Sequence, residues 1–165
     1  MTVEEFEAFY VQAVGRLTGQ LYVMLGDLQE AEDVVQEAFV KGWNRRRQLD
    51  RDGGPEAWIR KVAWRLAVSQ WRFRRRTADA WTRRAAVPPQ VAGPGPEHVV
   101  LVEALRTLPP QQRRTVALHY LCDLTVEQIA GETGLSASTV KTHLGRGRAA
   151  LADRLRDNVQ EAPDA

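Results

Sequence analysis

The residues of this chain best suited to chemistry lie near its carboxyl end, between residues 136 and 148. Wound as an α-helix, this stretch separates an apolar edge from a polar face. The apolar edge is Val140 and Leu144, and the polar face is Ser138, Lys141, Thr142, Gly145 and Arg146. Small residues let such a helix sit deep in a major groove, where hydroxyls reach base edges and flanking cations meet phosphates. The stretch therefore predicts a helix that reads duplex DNA, with a purely structural helical hairpin as the alternative.

Two glycines of this stretch, Gly145 and Gly147, help to distinguish a DNA-reading helix from a purely structural one. Each is expected to cost a helix about 1 kcal/mol relative to alanine. A role in stability alone explains such residues poorly, so both glycines favour the DNA-reading interpretation.

A helix, a tight turn and a second helix must position this face. Thr125 and Gln128 have the spacing of a capping box, Gly134 follows the end of that helix, and Ser136 caps the next one. The resulting helices, about 126–133 and 137–157, form a helix-turn-helix. Two further helical segments, about 97–107 and 109–122, precede it.

The amino-terminal part of the chain also has helical periodicity, with no alternating run that suggests a strand. Three helices account for it, at about 2–25, 29–46 and 55–76. The fold class is therefore all-α, with a three-helix bundle and a four-helix domain that contains the helix-turn-helix. The predicted divisions are a first module at 1–76, a flexible Pro/Gly-rich linker at 77–96, a second module at 97–157 and a disordered tail at 158–165.

The third helix has two contrasting stripes. The stripe predicted to be buried is Ile59, Val62, Ala63, Leu66, Gln70 and Phe73. The other stripe mixes cations with two indoles: Arg60, Lys61, Trp64, Arg65, Trp71, Arg72 and Arg75. Such a mixture suits nucleic acid, because cations meet phosphates and indoles stack on bases.

Charge changes sign along the first module. Residues 1–40 hold eight acids against one base, for a net charge of −7, whereas residues 41–84 hold fourteen bases against four acids, for a net charge of +10. An arginine-rich field attracts a phosphate backbone, and an acidic helical face suits a basic protein surface. The two segments therefore predict two kinds of partner, although solvated faces are the simpler alternative for either one.

Several other classes of protein are disfavoured. The three histidines (His98, His119 and His143) are scattered, and no carboxylate cluster or glycine-rich loop has the spacing of a metal or phosphate site. We therefore expect no enzymatic activity, no metal and no cofactor. The single cysteine, Cys122, is interpreted as a buried, inert thiol. No apolar run is long enough to span a bilayer and the amino terminus is acidic, which predicts a cytoplasmic location.

Three motifs occur in order before and around the helix-turn-helix: AEDVVQEAF at residues 31–39, WIRKVA at 58–63 running into RFRRR at 72–76, and LPPQQR at 108–113. Together they resemble the extracytoplasmic-function sigma factors of the sigma-70 superfamily over roughly residues 4–76 and 97–155. The resemblance implies that the chain directs RNA polymerase to specific promoters and initiates transcription. Its implied partners are core polymerase, through the clamp coiled coil of the largest subunit and the flap of the second largest, and double- and single-stranded promoter DNA. An anti-sigma factor is left open as a further partner.

The resemblance also assigns residues to roles. The polymerase contacts would be Asp33, Gln36 and Glu37. The residues that bind and open the promoter element nearer the start site (−10), together with the loop at 48–53, would be Arg60, Lys61, Trp64, Arg65, Arg72, Arg74 and Arg75. The residues that read the upstream element (−35) would be Ser138, Thr139, Lys141, Thr142, Arg146 and Arg148. An unpaired base could stack on Trp64, with a packed core position as an equal alternative. Family members often carry Asn and Asp where Arg65 and Ser69 stand, which leaves the base preference of this module open.

Three alternative functions fit the sequence less well. An autonomous LuxR-type regulator has a similar terminal helix but normally carries an α/β sensor or receiver domain. A nucleic-acid enzyme lacks support from any catalytic pattern, and an RNA-binding adaptor would have to prefer RNA to promoter DNA. Because two small readers on a flexible tether lose entropy on binding both sites, we expect the isolated chain to bind promoter DNA weakly and to gain specificity with core polymerase.

Overall fold

A computed structural model describes residues 1–51, 53–78 and 96–161, with side chains over 1–51, 53–77 and 101–157. The described residues form helices joined by short connections, without a strand among them, and the chain divides into two compact units, 1–92 and 93–165. The all-α prediction is confirmed. Predicted boundaries were close, although the third helix continues through Ala78 and the last through Glu161, past the expected starts of the linker and the tail. The rest of the predicted linker, residues 79–95, and the end of the tail lie outside the described residues.

The first unit contains helices α1 (Val3–Leu25), α2 (Leu28–Asn44) and α3 (Pro55–Ala78), with one 3-10 turn at Arg46–Gln48. A capping box begins α1: Thr2 accepts from the Glu5 amide at 3.2 Å, and the Glu5 carboxylate accepts from the Thr2 amide at 2.7 Å. Gly26 ends α1 with a positive φ of 79°, and the Asp27 carboxylate then caps α2. These local signals fix the α1–α2 corner.

Alanines, β-branched residues and larger apolar side chains such as Leu17, Leu21 and Phe39 make up the core of this unit. The buried residues include Ala13, Leu17, Leu21, Ala31, Val34, Val35, Ala38, Ile59, Ala63 and Ala67. Alanines on all three helices allow close approach of their backbones. Gly42 belongs to the same interface, since a β-carbon there would lie 3.1 Å from the Ile59 Cδ1 atom.

Helices α1 and α3 run side by side in the same direction. Arg16 pairs with Glu56, and the Arg60 guanidinium donates to Gln20 Oε1 at 3.5 Å. Both pairs join residues 40 positions apart, so the end of α1 at Leu25 is level with about residue 65 of α3. At 1.5 Å per residue, the part of α3 beyond that level extends about 20 Å past α1.

The second unit contains α4 (Pro96–Arg106), α5 (Pro110–Tyr120), α6 (Val126–Thr133) and α7 (Ala137–Glu161). The predicted capping box of Thr125 and Gln128 is present, and Gly134 ends α6 with a φ of 77°. Ser136 then accepts from the Thr139 amide at 3.2 Å at the start of α7. The helix-turn-helix predicted from the sequence is therefore formed by α6, a short turn and α7.

Helix α7 packs on the other helices of this unit through Val140 and Leu144, as predicted. The core beneath them is formed by Val102, Leu105, Leu108, Val116, Ala117, Leu118 and Ile129. Leu121, which follows the end of α5, is exposed.

Gly147 has a structural role that the sequence interpretation did not assign. It is buried in α7, and a β-carbon there would lie 2.5 Å from Val116 Cγ2. Gly145 differs, because it is exposed and has no described heavy atom within 4 Å of that position. The stability argument was therefore wrong for Gly147, which is required by packing, while Gly145 keeps the small surface expected of it.

Candidate nucleic-acid interfaces

The outward face of α7 begins with a cluster of hydroxyls. Ser136 Oγ donates to Thr139 Oγ1 at 2.8 Å and lies 3.2 Å from Ser138 Oγ, while Thr142 Oγ1 donates to the Ser138 carbonyl at 3.0 Å. Ser138 and Thr142 are exposed and Thr139 is half-buried. The cluster therefore presents oriented hydroxyls beside an amino-terminal helix end, a place where backbone amides also favour anions.

Three cations flank this hydroxyl cluster. Lys141, Arg146 and Arg148 are all exposed, and the gap between the first two contains Gly145. Arg148 Nη1 donates to the Tyr120 hydroxyl of α5 at 3.4 Å, which holds that guanidinium against the rest of the unit. The predicted set of six residues thus lies along the outward side of one helix.

A second cationic face runs along α3. Lys61, Arg65, Arg72, Arg75 and Arg76 follow one another at helical spacing, and no acidic residue occurs between positions 57 and 78 of the sequence. The four arginines are exposed and Lys61 is half-buried. This stripe suits a phosphate backbone, because it carries like charges without compensating acids.

Two residues predicted to contact DNA on α3 are instead buried. Arg60 is 6% exposed and Trp64 is 8% exposed. Both lie on the side of α3 that faces α1, where Arg60 reaches Gln20 and Glu56. Periodicity assigned both residues to the polar stripe, which was wrong for Arg60; burial of Trp64 agrees with the packed position given as its alternative. Their side chains are consequently not part of the cationic surface.

The other end of the same helix shows the reverse error. Phe73 was predicted to be buried but is 63% exposed. Trp71, which was placed on the polar stripe, is 51% exposed. Trp71 follows Trp64 by seven residues, on nearly the same side of the helix. The difference in burial arises because Trp64 is level with Met24 of α1, whereas Trp71 lies about six residues beyond the end of that helix.

Arg74 forms an ion pair with α2 and is therefore not free to bind a phosphate. Its Nη2 atom donates to Glu30 Oε1 at 2.8 Å. Burial raises the pKa of the Glu30 carboxyl above its ordinary value, and the charge of Arg74 opposes that shift. Like Arg60, Arg74 therefore has a structural partner within the first unit.

The three predicted polymerase contacts are exposed on α2. Asp33 accepts from Gln29 Nε2 at 3.0 Å, Glu37 pairs with Lys41 at 3.4 Å, and Gln36 borders an apolar groove. The groove has a volume of about 390 Å³ and is lined by Phe6, Tyr10, Gln36, Phe39, Val40 and Trp43. We call these six residues the aromatic groove.

The rings of the aromatic groove pack against one another. Phe6 contacts Phe39 and Trp43 edge to face, with ring centroids 6.1 and 5.4 Å apart, and Tyr10 contacts Phe39 at 4.9 Å. Val40 at its rim is 64% exposed. Of these six residues, the sequence predicted a polymerase contact only at Gln36. Among the first three aromatics of α1, Phe6 is buried, Phe9 is half-buried and Tyr10 is exposed.

Arg113, in the LPPQQR motif, is a half-buried cation of the second unit. Burial lowers the pKa of its guanidinium, and the nearby charge of Arg106 adds to the effect. Its Nε atom has no hydrogen-bond partner among the described residues.

Within the described residues no group of three or more histidine, cysteine or acidic side chains could hold a metal ion. Cys122, expected to be buried, is half-buried. None of the helices described for this chain has the length and apolar character needed to span a membrane.

Comparison with known families gives two matches. Residues 9–77 match Sigma-70 region 2, and residues 98–151 match Sigma-70, region 4. The ECF RNA polymerase sigma factor SigW of Bacillus subtilis is 29% identical over 153 residues, which cover 82% of this chain and 81% of that protein. The RNA polymerase sigma-E factor of Streptomyces coelicolor is 26% identical over 155 residues, which cover 93% of this chain and 87% of that protein.

Two solved structures share the fold. The sigma factor RpoE in complex with the anti-sigma factor NepR from Bartonella quintana matches with a TM-score of 0.77 and 22% identity, over 93% of this chain and 98% of that one. CnrH in complex with the cytosolic domain of CnrY matches with a TM-score of 0.69 and 21% identity, over 94% and 90%. The two matched regions fall on the two helical units, and the relatives match across both, so the chain belongs to the sigma-70 family, among its extracytoplasmic-function RNA polymerase sigma factors.

Proposed function

We propose that the two helical units divide the work of a sigma factor, which directs RNA polymerase to promoters and initiates transcription. The unit built from α1, α2 and α3 binds core polymerase and the promoter element nearer the start site. The unit that ends in α7 binds the upstream element. The observation that carries this proposal is the outward polar face of α7, because Val140 and Leu144 are buried while the hydroxyls and cations opposite them remain exposed.

Helix α7 reads the upstream element in this proposal. Ser138 and Thr142 contact base edges, and Thr139 orients the hydroxyl cluster at the helix start. Lys141, Arg146 and Arg148 contact the phosphates on either side of the groove. The absence of a side chain at Gly145 supports close approach of the helix to the bases, since the described structure leaves open space there.

Helix α3 binds the element nearer the start site through its cationic stripe. Lys61, Arg65, Arg72 and Arg75 are the DNA contacts we retain from the sequence prediction. Arg60 and Trp64 are buried, and their proposed role becomes the support of α3 against α1. Arg74 links α3 to Glu30 of α2, so its effect on DNA is expected to be indirect.

Core polymerase docks on α2 in this proposal. Asp33, Gln36 and Glu37 form an acidic and polar strip, which suits a basic partner surface. The adjoining aromatic groove supplies apolar area in the centre of the contact, where aromatic residues contribute most to binding. The clamp coiled coil of the largest polymerase subunit is the proposed partner, and the flap of the second largest is the proposed partner of the second unit.

Three further assignments follow from this function. We propose that the protein has no catalytic activity of its own, and that it acts in the cytoplasm with polymerase and DNA. RpoE was solved in complex with the anti-sigma factor NepR, and CnrH in complex with the cytosolic domain of CnrY, so an anti-sigma factor is a proposed partner here too. The alternative of an autonomous LuxR-type regulator is not favoured, since residues 9–77 match region 2 of the sigma-70 family.

In vitro transcription with core polymerase, with and without this chain, on a pool of genomic fragments tests the proposal. We expect specific transcripts only when the chain is present, each from a promoter with two separated elements. A chain that does not associate with core polymerase, or that gives no transcripts above core alone, would contradict it.

A further inference from the structure

We infer that Trp71, and not Trp64, is the indole on which an unpaired promoter base stacks when the DNA opens. This assignment rests on the proposed function and names a contact within it. Trp64 is 8% exposed under α1, whereas Trp71 is 51% exposed on the part of α3 that extends past α1. Only the second ring is available to a ligand without rearrangement of the core.

The surroundings of Trp71 favour a nucleic acid over an apolar partner. The guanidinium of Arg75 lies 4.8 Å from the centre of the Trp71 ring. Arg72 is the adjacent residue, Arg65 and Arg76 continue the stripe, and the described part of α3 after Glu56 carries no acid. An apolar protein segment docked on Trp71 would have to desolvate these cations, whereas a phosphate backbone would neutralise them.

The arrangement of Trp71 and Arg75 suits an unpaired base better than a base within a duplex. Both faces of a base within a duplex are covered by its neighbours, so an indole on a helix surface cannot stack on it. A base that has left the stack presents its π-face. Such a base would stack on the face of the Trp71 ring that Arg75 does not cover, giving a base–indole–guanidinium stack. The charge of Arg75 would then lie close to the phosphates on either side of the base.

The same helix supplies a matched control. Phe73 is 63% exposed, and it lies two residues from Trp71 and therefore about 200° around the helix. It borders a different, shallow pocket with Ser69, Gln70 and Arg74, on the side where Arg74 meets Glu30. Removing Phe73 changes exposed aromatic area by a similar amount without touching the cationic stripe.

The test uses core polymerase with the full chain and a promoter that the wild-type holoenzyme transcribes. Dissociation constants are measured on two forms of that promoter, a full duplex and a bubble with the element nearer the start site unpaired. We expect Trp71→Ala to weaken bubble binding by about 5- to 150-fold, the usual range for loss of one base–aromatic stack, and to change duplex binding by less than about 2-fold. Trp71→Phe should restore most of the affinity, and Phe73→Ala should match wild type.

An abasic scan across the bubble identifies the stacked nucleotide. At one position, removing the base should weaken the wild type but not Trp71→Ala, because the two changes remove the same contact. Equal bubble binding by wild type and Trp71→Ala would overturn the assignment, as would equal losses on duplex and bubble with no position that couples to Trp71. A wild-type holoenzyme that binds neither DNA would instead overturn the proposed function, and the assignment with it.

Discussion

Val116 of α5 occupies the space into which a side chain at position 147 of α7 would project, since a β-carbon there would come within 2.5 Å of Val116 Cγ2. Valine in a helix strongly prefers one χ1 rotamer, so this methyl group can make room only through an unfavourable rotamer or a shift of the backbone. The packing of Gly147 against Val116 sets how closely α7 lies against α5 beneath it.

Gly147→Ala should therefore destabilise the second unit. Overpacking costs about 1–3 kcal/mol, which outweighs the gain of up to about 1 kcal/mol from placing alanine in a helix. Chemical denaturation of the full chain, followed by the amide NMR signals of α7, measures the change. The matched control is Gly145→Ala, which should stabilise the unit by about 0.5–1 kcal/mol because its position is open.

The double variant Gly147→Ala with Val116→Ala tests the same contact directly. Removing the Val116 methyl groups should relieve much of the loss caused by Gly147→Ala, giving a coupling energy of about 1 kcal/mol or more. Additive effects of the two changes would show that the clash is absorbed elsewhere.

The ion pair between Arg74 and Glu30 gives a prediction about pH. Burial raises the pKa of Glu30 in the folded state, so between its unfolded and folded pKa values the folded state binds more protons. In that window the free energy of unfolding should fall as pH rises, and the part due to Glu30 is largest below the unfolded pKa. Arg74→Ala should raise the Glu30 pKa further, which carboxyl ¹³C NMR titration measures, because the opposing positive charge is removed.

The Arg74–Glu30 ion pair predicts a structural role for Arg74, whereas we propose that Arg72 contacts DNA. Arg74→Ala should lower the stability of the first unit, whereas Arg72→Ala should leave stability unchanged and weaken DNA binding by the holoenzyme. A large loss of stability in Arg72→Ala would place that residue with Arg74 instead.

Truncation of Arg146 and truncation of Thr142 are expected to change DNA binding in different ways. Arg146→Ala should weaken binding to all sequences similarly and reduce the slope of log K against log salt by about 0.9, the effect of one lost phosphate contact. Thr142→Ala should leave that slope unchanged and relax the preference for one base pair of the upstream element. Holoenzyme titrations at several salt concentrations, on the native element and on single-base variants, distinguish these outcomes. The reverse pattern would exchange the two roles.

Polymerase docking is tested at the rim of the aromatic groove. Val40→Asp places a carboxylate beside the rings of Phe39 and Trp43 and should weaken association with core polymerase at least about 10-fold, since it adds a charge to the apolar centre of the contact. Val11→Asp is the control, because Val11 is 76% exposed and does not line the groove. Fluorescence anisotropy with labelled chain measures both affinities. Equal affinities would exclude this groove from the interface.

The helices of this chain could be predicted because their ends carry local signals. Thr2, Gly26, Thr125 and Gly134 are read from sequence alone, since caps and positive-φ glycines act within one turn. The outward face of α7 was predictable for a similar reason, because Val140 and Leu144 leave only one side for the hydroxyls and cations.

Burial along α3 could not be predicted in the same way. Trp64 and Trp71 lie on nearly the same side of one helix, and no local pattern distinguishes them. Their difference depends on where α1 ends beside α3, which is a tertiary fact. The packing of Gly147 against Val116 likewise joins positions 31 residues apart, so the sequence indicated an unusual glycine without indicating its cause.

The length of α3 relative to its neighbours has a consequence for motion. Its 24 residues rise about 36 Å, yet α1 accompanies only the first half of that rise. The free energy of local opening should therefore decline from Ile59 towards Thr77, and backbone amides there should exchange with solvent progressively faster. A promoter lying along the cationic stripe would take the place that α1 leaves open beside these last turns, so that DNA binding would also stiffen the helix.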